Sequence, residues 1–274
     1  MTKVDVDLAE RVRAAAAGDR AAARDVLEAV QHDVYGLSLR MLGHPADAED
    51  AAQEILVIVL THLGSFRGES SLRTWVWRIA ANHLKRIRRG RRETIDFETL
   101  EQRLRSGLAP AAPDPEDEAL TRELRLRCTQ AMLLGLDRDH RIAYVLGDIF
   151  ELPGETAAEV LEIDPATFRK RLSRARHRLY AFMRSFCGVY AGENPCRCAR
   201  QTAAAVERGI VVPGQLDLSG QRTRPSLARA ADDIDHLLRV ADVLRGPAIY
   251  LAPQTLIDKL RELVGSEQLE LLRS

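Results

Sequence analysis

The stretch DPATFRKRLSRARHRL, residues 164–179, carries Arg169, Lys170, Arg171, Arg174, Arg176 and Arg178, with no acid after Asp164. The acid-free run continues to Phe186, although the whole chain of 274 residues balances 40 basic against 40 acidic side chains. Asp164 is a good N-cap, and Pro165 suits the first helical position because its missing N–H would be unpaired there anyway. Phe168, Leu172, Ala175 and Leu179 recur at helical spacing and face a core, which turns Arg169, Lys170, Arg171, Arg174 and Arg178 outward. Before them TAAEVL, residues 156–161, forms a shorter helix that breaks at Glu162-Ile163-Asp164, with Ala158 small where the second helix must cross. Guanidinium groups gathered without acids repel one another unless an anion covers them, and the DNA major groove offers phosphates and guanine edges. The bland alternative is a solvated basic helix; the helix-turn-helix pattern favours DNA.

A second cationic surface lies on the helix spanning 72–89. Leu72, Trp75, Ile79 and Ile87 are spaced for a core, while Trp77, Ala81, Lys85 and Arg88 form another stripe beside Arg78, Asn82 and Arg89. A ring to stack on, an amide to read a base edge and charges for the backbone are what single-stranded nucleic acid requires. Packing of Trp77 against other helices accounts for it equally well. Four cysteines are too few for a disulfide framework, but Cys187, Cys196 and Cys198 could supply three thiolates to zinc or another thiophilic metal, with Cys128 or a histidine as a fourth. A redox switch, or plain reduced thiols in a connector, fits the same spacing. No phosphate-binding glycine loop, zinc-protease motif or nucleophile elbow supports an enzyme, and none of these readings makes a cofactor a requirement.

The elements that must position these residues read as all-α. Ala, Leu, Arg and Glu dominate residues 6–90, and Ala51, Ala52, Ile55, Leu56, Val59, Leu60 and Leu63 mark one buried face of a helix that opens with Asp47, Glu49 and Asp50. The Pro- and acid-rich SGLAPAAPDPEDEA reads as flexible linker. The expected organisation is a helical domain over 1–92, a linker over 93–118, a helix-turn-helix domain over 119–186 and a Cys-containing helical extension over 187–274. The longest apolar run, ILVIVL, is far short of the roughly 20 residues of a membrane helix. The first residues lack the apolar core of a signal peptide, so a cytoplasmic protein is expected.

Two basic faces on separate helical domains resemble the extracytoplasmic-function (ECF) sigma factors of bacterial RNA polymerase. DAEDAAQEILVIVL is similar to that family's region 2.2, FRGESSLRTWVWRIAANHLKRIRR to regions 2.3 and 2.4, and TAAEVLEIDPATFRKRLSRARHRL to region 4.2, in the family's order. The resemblance implies that Asp50, Gln53 and Glu54 bind the clamp helices of the polymerase beta-prime subunit. It places Phe66, Arg73, Trp77, Arg78, Asn82 and Lys85 on the −10 element, and Thr167, Arg169, Lys170, Arg171, Arg174 and Arg176 on the −35 element. Core polymerase and promoter DNA are the implied partners, with regulation by an anti-sigma factor or in cis by the extension; a merely stabilising appendage is the alternative. Glu162 stands where the family usually has glycine or another small residue, Phe168 where valine is common, and Lys85 near a frequent acid. A conventional helix-turn-helix repressor or activator would explain residues 155–180 but not the acidic face at 47–54.

Overall fold

The computed structural model describes residues 3–87, 95–108, 118–218, 240, 243–244 and 250–266. Its first body is built from α1 (Lys3–Ala16), α2 (Arg20–Leu42), α3 (Pro45–Thr61) and α4 (Leu72–Arg86). The Asp19 carboxylate caps α2 by accepting from the amides of Ala21 and Ala22 at 2.8 and 3.1 Å. Gly43 ends that helix at φ 73°, and a Cβ there would lie 2.5 Å from Leu134 Cδ1, so the left-handed turn and the close approach both demand glycine. Pro45 then starts α3, whose Ala51, Ala52, Ile55, Leu56, Val59 and Leu60 are buried as the periodicity predicts, with Leu63 just beyond it; Ala48, outside the predicted set, is buried as well.

On α4 the periodicity misplaces the core. The buried set is Leu72, Thr74, Val76, Ala80, Ala81 and Leu84, while Trp75, Ile79 and Ile87 are only half-buried. The helix is packed on two sides, against α2 and α3 on one and a helix of the second body on the other, so small residues occupy the closest crossings. Trp75 instead meets Phe66 edge-on at 5.5 Å.

The segment expected to be linker contains a helix, α5 (Phe97–Arg105), capped by Asp96 accepting from Thr99 N–H at 2.7 Å. Phe97 lies 5.3 Å from the Phe182 ring and Arg105 sits over Phe186 at 4.9 Å. Those aromatic partners, some 80 residues away, give the short helix a surface to bury. The Pro-rich residues 109–117 lie outside the described residues.

The second body comprises α6 (Glu118–Leu134), α7 (Arg138–Tyr144), a π-helical turn over Val145–Ile149, α8 (Gly154–Leu161) and α9 (Pro165–Phe186). The π turn is closed by Phe150 N–H donating to Val145 O at 2.9 Å. The helix-turn-helix forms as the sequence predicts: Asp164 caps α9 through Thr167 N–H at 2.8 Å, and Phe168, Ala175 and Leu179 are buried, while Leu172 of the predicted core set is half-buried. After α9 come α10 (Cys198–Glu207) and α11 (Gln254–Gly265). Between α10 and α11, Val240 and Leu244 belong to the described residues, and both are buried. Leu256, Leu260 and Val264 bury α11 against α2 and α3. One continuous apolar core includes Val26, Leu56, Leu84, Leu146, Phe168 and Leu256, so the two bodies and the extension are packed together.

Candidate nucleic-acid interface

Region by region, the structure sorts the cations of α9 into two groups. Arg169, Lys170 and Arg174 are exposed, line one shallow face with Ala166 and Ser173, and make no ion pair with a described residue. Arg171 instead binds Asp139 at 2.8 Å, and Arg176 grips the buried Asp148 with two bonds of 2.9 and 2.6 Å. Arg178 lies 3.6 Å from Asp137 and over the Phe97 ring. The hydroxyl of Thr167 is taken up by the Asp164 cap, which holds that carboxyl below the usual carboxylate range. The outward set from sequence therefore loses Arg171, and Arg176 anchors α9 to the π turn; their acids lie 28 or more residues away, beyond any periodicity.

On α4 the expected −10 residues are brought together, and most are engaged by the second body. Trp77 stacks on Phe150 with centroids 5.7 Å apart and planes 17° from parallel. Arg78 binds Glu159 at 2.6 Å, Asn82 donates to Glu162 at 3.2 Å, and Lys85 Nζ reaches Leu161 O at 3.4 Å. Burial lowers the Lys85 pKa, with Asp139 opposing the shift. Arg73 stays exposed, 3.4 Å from Asp33, and Phe66 is half-buried beside Trp75.

Sequence reasoning missed the arginines that close this contact. Arg138 Nη1 donates to Leu84 O and Lys85 O at 3.2 Å and to Ile87 O, placing a cation on the C-terminus of α4 where the helix dipole favours it. Arg141, fully buried, donates to Leu133 O, Leu134 O, Leu136 O and Met41 O. Arg40 of α2 lies 5.6 Å from the Phe150 ring and 4.5 Å from Tyr250, joining both bodies and the extension; burial lowers its pKa. Nothing local in the sequence distinguishes these three from surface arginines.

Asp50 and Glu54 are exposed on α3 and Gln53 is half-buried between them; Glu54 pairs with His83 at 3.0 Å. The extension borders this face, with Lys259 on Glu49 at 3.2 Å and Arg261 on Glu28 at 4.0 Å. Farther along, Ala252 N–H donates to His32 Nδ1 at 3.0 Å and Tyr250 accepts from Gln130 at 2.6 Å.

The cysteines meet at a tight knuckle after α9. Cys187 and Cys196 face each other, with Cys196 N–H donating to Phe186 O at 3.3 Å and Gly188 N–H to Cys196 O at 3.0 Å. Asn194 donates to the carbonyls of Met183, Arg184 and Cys187, closing the end of α9. Burial, and then the neighbouring thiols, push Cys196 up to about 12; burial likewise raises Cys198, and Cys128 well above the usual thiol range. Among the described residues no three His, Cys, Asp or Glu side chains are placed to hold a metal ion.

A helix-turn-helix with a cationic recognition face, beside a second helical body bearing an aromatic and cationic helix, defines a two-site DNA-binding protein. Residues 26–94 match the family described as Sigma-70 region 2, and residues 126–179 match Sigma-70, region 4. The chain is 33% identical over 180 residues to the RNA polymerase sigma-H factor of Pseudomonas aeruginosa, covering 64% of this chain and 91% of that protein. It is 31% identical over 183 residues to the ECF RNA polymerase sigma-E factor of Escherichia coli K12, covering 64% and 92%. To the ECF RNA polymerase sigma factor SigW of Bacillus subtilis it is 30% identical over 181 residues, covering 64% and 96%. Among solved structures, CnrH in complex with the cytosolic domain of CnrY is similar at 22% identity and a TM-score of 0.46, covering 64% of this chain and 96% of that one. The chain belongs to the ECF RNA polymerase sigma factors. It is accordingly a transcription initiation factor that works with core RNA polymerase and promoter DNA, and the reading as a polymerase-independent regulator is left without support. No helix among the described residues is long and apolar enough to cross a membrane.

Proposed function

We propose that this sigma factor reads the −35 element through Arg169, Lys170 and Arg174 of α9 and the −10 element through Trp77, Arg78, Asn82 and Lys85 of α4. Phe66 and Arg73 flank the −10 face, and Asp50, Gln53 and Glu54 of α3 take the polymerase clamp helices. The protein acts in the cytoplasm and has no catalytic activity of its own. One observation carries the −35 assignment: three cations of α9 stand exposed on one face without an acid from the described residues, while Arg171 and Arg176 are neutralised internally. Arg171 and Arg176 hold the recognition helix in place, and Thr167 serves its cap. The extension regulates in cis, because α11 docks on the first body at Glu49, directly beside Asp50.

The test is run-off transcription with core polymerase on a genomic fragment library. Replacing Arg169 and Lys170 by alanine should reduce promoter-specific transcripts about tenfold or more, each lost base contact being worth roughly 1–3 kcal/mol. Asp50→Lys should abolish core capture while leaving the thermal midpoint unchanged, since Asp50 is exposed. A chain ending before Gln254 should differ from the full chain in core affinity. Unaltered transcription in the α9 variant would refute the −35 assignment, and equal core affinity after truncation would refute regulation by α11.

A further inference from the structure

The knuckle after α9 brings two thiols together by main-chain pairing. Gly188 N–H donates to Cys196 O at 3.0 Å and Cys196 N–H to Phe186 O at 3.3 Å, the two bonds of a parallel bridge that sets Cys187 opposite Cys196. Neighbouring strands so paired stand about 4.7–4.9 Å apart, inside the roughly 4.4–6.8 Å between Cα atoms that a disulfide spans. A Cβ on Gly188 would overlap Cys196 O, so glycine is what allows the approach. The loop between the cysteines is held from within. Asn194 Nδ2 donates to Met183 O, Arg184 O and Cys187 O, and the Arg197 guanidinium donates to Gly192 O and Asn194 O.

The two thiols are unequally placed. Cys187 is half-buried and open to a small solute, whereas Cys196 is 8% exposed and lies 3.9 Å from Gln201 Nε2. Burial pushes Cys196 up to about 12, so it is not the thiol that reacts first with a solute. Cys128 within α6 and Cys198 at the start of α10 belong to other elements, and no bridge among the described residues joins either to Cys187. An accessible thiol backed by a buried one suits a two-step oxidation, in which one sulfur takes the oxygen and the other resolves it.

We infer that Cys187 and Cys196 form an oxidation site for hydroperoxides, Cys187 taking the oxygen and Cys196 closing a reversible disulfide at the foot of the recognition helix. With hydrogen peroxide, the Cys187 thiolate attacks one oxygen; an S–O bond forms, the O–O bond breaks, and hydroxide leaves and is protonated to water. The Cys196 sulfur then displaces the hydroxyl of the sulfenic acid. The S–S bond forms, the S–O bond breaks, and a second water carries off the Cys196 proton. The two sulfurs together lose two electrons and the peroxide gains them. A small dithiol reverses the bond by exchange. The bond short-circuits the knuckle, so that the extension leaves α9 from a fixed point.

The test treats the full-length chain, reduced and freed of reductant, with a modest excess of hydrogen peroxide, and maps its peptides without reduction by mass spectrometry. The expected product is a peptide pair joined through Cys187 and Cys196, lighter by two hydrogens and separated again by dithiothreitol. Closing so short a loop should raise the thermal midpoint by about 5 °C over the reduced chain. Cys196→Ser should leave Cys187 as a sulfenic acid that dimedone traps, while Cys187→Ser should leave Cys196 unlabelled. Cys128→Ser and Cys198→Ser should still form the bond. A bond through Cys128 or Cys198 in the unaltered chain, or dimedone on Cys198 in place of Cys187 in the Cys196→Ser variant, would overturn the assignment. Four thiols still reduced where the urea-unfolded chain oxidises would overturn it as well. So would one equivalent of zinc retained through gel filtration with the thiols unreactive to peroxide, because the cysteines would then be metal ligands.

Discussion

Arg141→Met measures how firmly the two bodies are held together. Arg141 is 1% exposed and donates to four carbonyls, three at the end of α6 and one, Met41 O, near the end of α2. Methionine fills comparable volume but donates nothing. Each buried carbonyl left without its donor costs about 1–3 kcal/mol, an upper total of roughly 12 kcal/mol. Relief of the buried guanidinium's desolvation and entry of water at the helix ends offset much of that, as they do when a buried charge is replaced by an apolar group. A net loss of about 4 kcal/mol is the working value. For a chain this long it corresponds to a midpoint lower by about 8–16 °C. Arg141→Lys should recover less than half of the loss, because one ammonium cannot span four carbonyls placed around a planar fork. The assay is thermal unfolding followed by circular dichroism on the full chain, with Arg169→Ala as the exposed control. A midpoint within about 3 °C of the unaltered chain for Arg141→Met would refute the claim that this guanidinium ties α6 to α2.

Gly43→Ala should destabilise markedly, by about 2 kcal/mol or more from the left-handed φ and the overlap with Leu134 together; urea unfolding would show it as a lower midpoint at unchanged slope. Thr167 holds the Asp164 carboxyl below its ordinary range, so its contribution is present above the unfolded value and lost as pH falls through the folded one. The stability gap between the unaltered chain and Asp164→Ala, followed by thermal unfolding against pH, should accordingly be full at neutrality and shrink below about pH 4. With its thiol pushed up to about 12, Cys196 at neutral pH should alkylate with iodoacetamide at least about a thousandfold more slowly in the folded chain than in urea, read by peptide mass spectrometry.

Local chemistry was legible. Asp164-Pro165 announced the start of α9, and the apolar stripe of α3 named its buried face except for Ala48. The outward placement of Arg169, Lys170 and Arg174 also follows from helical spacing alone. What spacing could not reveal is which polar face meets another body. Val76 and Ala80 outrank Trp75 and Ile79 on α4 because a second helix presses on it, and α5 forms because Phe182 and Phe186 wait about 80 residues downstream. The acids that claim Arg171 and Arg176, the carbonyls that claim Arg138 and Arg141, and the rings around Arg40 are likewise distant in sequence. Periodicity reports the facing of one helix; it carries no information about the partner.

The π turn at Val145–Ile149 has a consequence for the register of everything after it. A π turn accommodates one residue more than an α-helical turn, and each residue of an α-helix advances the chain by about 100° around its axis. Deleting a single residue there would rewind the turn and swing Phe150, with α8 and α9 behind it, about a quarter of a revolution around the axis of α7. The helix-turn-helix would survive intact, but Phe150 would leave Trp77 and Arg40, and Asp148 would leave Arg176. One inserted residue thus sets the bearing of the promoter-reading hairpin as a whole.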